Sequence, residues 1–203
     1  MKWRNARPLR WSTVERILSG KPVNAIDPGD DAEQREHIIP SGAATIPFVE
    51  LHAASSYNFL RGASNPEAMV ERAAQIGLSG LALVDRDGFY GAVKFAEAAA
   101  RVRLPTVFGA ELSLPQGVLT VLARGPGGYQ QLSQVISQAK MASGEKGVSQ
   151  YPSLEELAAR ASENWQILAN HTWVPHISTL VECFGEQQVA LEYQLTGTPS
   201  DVD

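Results

Sequence analysis

The chain has 203 residues, 44% apolar and 19% charged, a balance that excludes wholesale disorder and leaves ample material for a core. A single cysteine, Cys183, excludes an internal disulfide framework and a four-cysteine zinc site. The net charge is −5, but residues 1–21 carry six basic side chains against Glu15 alone, a net of +5 that leaves −10 for the rest, and an acidic body is a poor DNA binder by itself because phosphate contacts need a basic surface.

The arginine-rich start lacks the apolar centre of a secretory signal, and no apolar run is long enough to cross a membrane, so a cytoplasmic protein is expected. Residues 1–21 read as a basic arm with one short helix. Ser12 and Glu15 make a capping box, Val14, Ile17 and Leu18 an apolar stripe, and Gly20 a stop. Trp3 and Trp11 flank the basic residues and are candidate anchors for a partner. Residues 22–45, with Pro22, Pro28, Gly29, Pro40 and Gly42, read as a linker, so the compact domain is expected over 46–203.

Within it, Phe48–Leu51 is a short strand. Asn65-Pro66-Glu67 opens a helix with Met69, Ala73 and Ile76 inward and Gly77 at its end. Gly80–Val84 is a continuous apolar run, as expected for a strand covered on both faces. A helix over Tyr90–Arg101 and strands over Thr106–Leu112 and Gly117–Ala123 follow. Tyr129, Leu132, Val135, Ile136 and Ala139 mark a helix, and the capping box Ser153 to Glu156 opens another that runs to Ala161. Trp165–Ala169 is a strand, Ile177–Phe184 a helix and Val189–Leu195 a strand. Strands alternating with helices predict α/β with a mostly parallel sheet, either a barrel or an open sheet, with functional groups at the carboxyl ends of strands. The polar residues there are His52, Asp85 with Arg86, Glu111 and His171. Histidines and carboxylates at successive strand ends are the raw material of a metal site.

These residues also carry a family likeness. The segment from Phe48 through His52 to Ser64 resembles the opening motif of the PHP domain (polymerase and histidinol phosphatase). Leu81–Gly91, with Asp85 and Arg86, resembles its second motif, and Leu104–Leu112, with Glu111, its third. Leu122–Tyr129 and Gly144–Gly147 are similar to the N-terminal PHP domain of bacterial error-prone DNA polymerases related to the polymerase III alpha subunit. The resemblance implies a distorted (β/α)7 barrel, here incomplete at its C-terminus, in a parent that copies damaged DNA. It also implies two or three metals held by about nine ligands in the intact family site.

The departures from the pattern are chemical. The His-x-His opening is His52-Ala53-Ala54, so Ala54 replaces a ligand, and the Asp-His second motif is Asp85-Arg86. A histidine near Val118–Leu122 is missing, and His171 stands where the family has a cysteine. Four family positions remain as residual ligands, His52, Asp85, Glu111 and His171, enough for at most one weakly bound zinc. Arg86 is a permanent cation, which repels a metal but attracts Asp85 and Glu111. The resemblance therefore implies a non-catalytic scaffold, with no catalytic residue and no cofactor in this chain and with magnesium only in the absent polymerase domain. Its partners are the remainder of the polymerase and translesion accessory proteins, with DNA contacted only through the parent. The alternative is a metal-dependent PHP phosphoesterase or 3′–5′ exonuclease, in which clustered metals activate water.

Overall fold

The computed structural model describes residues 47–193, so the arm, the linker, Trp3 and Trp11 lie outside the described residues. In chain order the elements are β1 (Val49–Ala53), α1 (Pro66–Gln75), β2 (Gly80–Arg86), α2 (Ala92–Val102), β3 (Thr106–Leu114), β4 (Gly117–Ala123), α3 (Gly125–Ser143), α4 (Leu154–Ala161), β5 (Trp165–Ala169), α5 (Ile177–Phe184) and β6 (Val189–Leu191). A 3₁₀ turn over His171–His176 precedes α5. Each helix and strand expected between Phe48 and Leu191 is present, with ends moved by a few residues. The last strand is shorter than expected, since Glu192 and Tyr193 follow it as coil and 194–195 lie outside the described residues.

The six strands form one sheet in sequence order, β1 to β6. The sheet is mostly parallel, as expected, with β1–β2, β2–β3 and β5–β6 paired parallel, and β4 alone runs antiparallel to its neighbours β3 and β5. The cause is local. Only Pro115 and Gln116 separate β3 from β4, a two-residue hairpin link, whereas a parallel return needs a crossover of a dozen residues or more. The result, over the described residues, is a mixed α/β half-barrel with five α-helices.

Side chains alternate across each strand and so divide the sheet into two faces. On the helix-covered face, Leu81 and Leu83 of β2 pack with Val70 and Ala73 of α1 and with Phe95, Ala98 and Ala99 of α2. Leu112, Leu119, Val121 and Ile167 pack with Leu132, Val135 and Ile136 of α3, Leu157 of α4 and Leu180 of α5. Trp165 is fully buried there, its indole N–H donating to the Gly128 carbonyl at 3.1 Å. The other face carries a small apolar floor of Ala82, Val84, Leu122 and Leu168, flanked by Val107 and Ala190. Beyond that floor, toward the carboxyl ends of β2 and β3, the same face turns polar.

Candidate functional site, a charged cluster on the inner face

The register of β2, β3 and β4 sets the cluster. Arg86 lies opposite Glu111, and Glu111 opposite Thr120, so the three side chains form a row across neighbouring strands. Arg86 Nε donates to Glu111 Oε2 at 3.1 Å. β1 supplies His52 through an irregularity. Glu50 pairs with Leu81 but Ala53 with Leu83, so two β1 residues, Leu51 and His52, oppose Ala82 alone. The Glu50 carboxylate accepts the freed backbone N–H of His52 at 2.9 Å and fixes the bulge. His52 thereby reaches Glu111, Nε2 to Oε1 at 3.1 Å, and with Nδ1 meets Glu192 Oε1 at 2.5 Å. Glu192 follows β6 directly, and its backbone N–H donates to the Ala169 carbonyl at 2.8 Å.

The electrostatics follow from these contacts. Burial alone would lower the His52 pKa, but hydrogen bonds to Glu111 and Glu192 and their charges outweigh it and push it up to about 9. Burial alone would raise Glu111, but the His52 hydrogen bond and the Arg86 and His52 charges hold the carboxyl below its usual range, with Arg61 adding to the effect. Arg86 Nη2, Thr120 Oγ1 and Glu192 Oε2 are buried without a hydrogen-bond partner.

Of the four expected metal positions, two meet here, His52 and Glu111. Asp85 is 1% exposed and alternates with Arg86, so it faces the helix-covered side with Leu83. Both of its oxygens are taken by Ser55, Oδ1 by the backbone N–H and Oδ2 by the hydroxyl, each at 2.8 Å. Burial pushes its pKa up, against the hydrogen bonds from Ser55. Its role is to pin the loop that leaves β1. Arg86 therefore does not bridge Asp85 and Glu111. It pairs with Glu111 on the face opposite to that of Asp85. His171 opens the 3₁₀ turn and is exposed, because Asn170 takes the capping position and its side chain accepts the Thr172 N–H. Glu192 was not anticipated.

This donor set does not fit a metal cluster. Both Glu111 oxygens and both His52 ring nitrogens are engaged by protein groups, Asp85 faces away, and a guanidinium occupies the centre. Among the described residues, no group of three or more His, Cys, Asp or Glu side chains is placed to hold a metal ion.

Comparison with known proteins places this geometry in context. The family model for the PHP domain matches residues 50–196. Proteins named error-prone DNA polymerase are similar over nearly the whole chain. That of Corynebacterium glutamicum is 51% identical over 98% of this chain, and that of Corynebacterium efficiens 50% over 97%. That of Mycobacterium tuberculosis is 45% identical over 82%. The chain spans about a fifth of the length of these relatives, 19% and 20% for the two Corynebacterium proteins and 17% for the Mycobacterium one. Among solved structures, a Bifidobacterium adolescentis protein, described provisionally as a metal-dependent phosphoesterase, shares the fold. Its TM-score is 0.53 at 15% identity, covering 75% of this chain and 79% of that one.

Proposed function

The chain belongs to the PHP domain family, and from that premise we propose that it is the N-terminal PHP portion of an error-prone DNA polymerase, a scaffold within an enzyme that synthesises DNA past damage. The observation that carries this reading is the near end-to-end likeness to proteins of that name. Its direct partner is the remainder of the polymerase, translesion accessory proteins join through the assembled enzyme, and DNA is met through the parent. The acidic body outside the arm supports the last point, since it offers little to phosphate. Among the described residues no helix is long and apolar enough to cross a membrane, which accords with a cytoplasmic setting.

The chain itself holds no catalytic centre in this reading and keeps no resident metal beyond a weakly held zinc. Hydrolysis of a phosphoester by metals requires open coordination positions for water and substrate. Here the positions nearest to that role are closed by an ion-paired arginine and a histidine held between two carboxylates. Magnesium serves the polymerase part.

A domain exchange tests the proposal. The 203-residue chain replaces the matching stretch of the Corynebacterium glutamicum polymerase. The hybrid is expected to extend primers past a template lesion, while the chain alone neither extends primed DNA nor hydrolyses 3′ ends with zinc or manganese. A hybrid that folds but cannot extend, or a 3′ exonuclease activity of the chain alone, contradicts it.

A further inference from the structure

The sheet is open. β1 and β6 are its two edges, and no backbone ladder joins them among the described residues. Yet one short side-chain contact spans the seam between them, His52 Nδ1 to Glu192 Oε1 at 2.5 Å, joining residues 140 positions apart. The contact is well anchored at both ends. On the β1 side, the Glu50 carboxylate holds the His52 backbone, and Glu111, itself held by Arg86, takes the other ring nitrogen. On the β6 side, the Glu192 N–H bonds to Ala169 of β5. The rest of the hold on β6 is its ladder to β5 and the packing of Val189 on the main core and Ala190 on the inner floor. The strand is three residues long, pairs with β5 alone, and buries none of its side chains fully, with Leu191 69% exposed.

Resting on the reading of a metal-free PHP site, we propose that Arg86, Glu111, His52 and Glu192 form a latch that closes the seam of the half-barrel and holds β6 to β1 through side chains. His52 and Glu111 are candidate metal ligands by residue type, but their task in this chain is mechanical. The latch connects four strands, β2 through Arg86, β3 through Glu111, β1 through His52 and the end of β6 through Glu192. Among the described residues β1 and β6 each pair on one side only, and the latch spans the gap between them. Glu192 is the member on the β6 side, and the one whose loss releases β6 while the contacts among β1, β2 and β3 remain.

The test is a double-mutant cycle read by amide hydrogen exchange on the full 203-residue chain, with Glu192→Gln, His52→Asn and both together. Each single change is expected to speed exchange in β6 and at the Glu192 amide at least tenfold while leaving the α1 and β2 amides unchanged. The double variant is expected to exchange no faster than the faster single, because either change alone opens the latch. Sedimentation should show concentration-dependent association in all three. Unchanged β6 exchange, or effects that multiply in the double variant, would overturn the latch. Should His52→Asn fail to fold, Glu192→Asp decides the matter with His52 intact. It keeps the charge but shortens the reach by one methylene, and β6 exchange as slow as in the parent would overturn the proposal. EDTA added to the unaltered chain separates the two readings. Acceleration by EDTA sinks the metal-free reading, whereas EDTA-insensitive exchange with multiplying variants sinks the latch alone.

Discussion

At the scale of single residues, Arg86 has a clear physical role. It is half-buried and sits directly opposite Glu111, so its charge offsets that of a carboxylate that is 12% exposed. Removing one partner of such a pair leaves the other partly desolvated and unpaired, which costs more than the pair contributes. Arg86→Ala is expected to lower unfolding stability by about 1–3 kcal/mol in urea titrations at neutral pH. Arg86→Lys is expected to recover only part of this, because lysine lacks the planar fork. An unchanged midpoint for Arg86→Ala would mean that Glu111 does not depend on it. The pH response belongs to the same scale. The folded-state pKa of His52 stands near 9, above its ordinary 6.5. A raised pKa stabilises the fold fully below the ordinary value, and that contribution fades as pH climbs through the folded value. The account predicts a urea midpoint that declines between about pH 6.5 and 9, and a flatter profile for His52→Gln. Glu111, whose pKa is lowered, contributes the opposite slope on the acid side, lost as pH falls.

At the scale of elements, the loop from β1 to α1 shows how backbone space controls the site. The Ser55 carbonyl passes so close to Gly62 that an added Cβ would lie 1.8 Å from its oxygen. Two residues earlier, Leu60 adopts φ +65 with its side chain 90% exposed, a conformation that favours glycine or asparagine. Substitutions at the two positions should therefore differ in sign. Gly62→Ala is expected to cost about 1–3 kcal/mol or more by overpacking, and Leu60→Asn to be neutral or to gain up to about 1 kcal/mol. Thermal unfolding of both variants checks this, and a harmless Gly62→Ala would refute the close approach. Much of the element order was legible in the chain. The run Gly80–Val84 and the stripe from Tyr129 to Ala139 are strong periodic signals, and Ser153 caps α4 by accepting the Glu156 N–H, as its capping box predicted. The direction of β4 is also legible, because Pro115-Gln116 is too short for a crossover. The inward or outward sense of Asp85 was available from period two, since Asp85 shares its face with Leu83 and Leu81. Glu192 gave no comparable signal. It follows a three-residue strand and finds His52 through the curl of the sheet, which no local pattern carries.

At the scale of the whole molecule, the described residues form a PHP fold that carries a cluster of charged side chains on the inner face of its sheet. A motif fixes which residues stand at strand ends but not which face each presents. His52 and Glu111 remain together, Asp85 has become a loop anchor, His171 lies exposed, and Arg86 supplies a cation that needs no coordination. The ion chain should thus sustain the fold without metal. The most direct measurement is elemental analysis of the 203-residue chain purified without chelators, paired with its melting temperature in EDTA and in added zinc or manganese. The account predicts less than one metal per chain and a melting temperature indifferent to all three additions. Two or more metals per chain, with a melting temperature that falls on chelation, would contradict it.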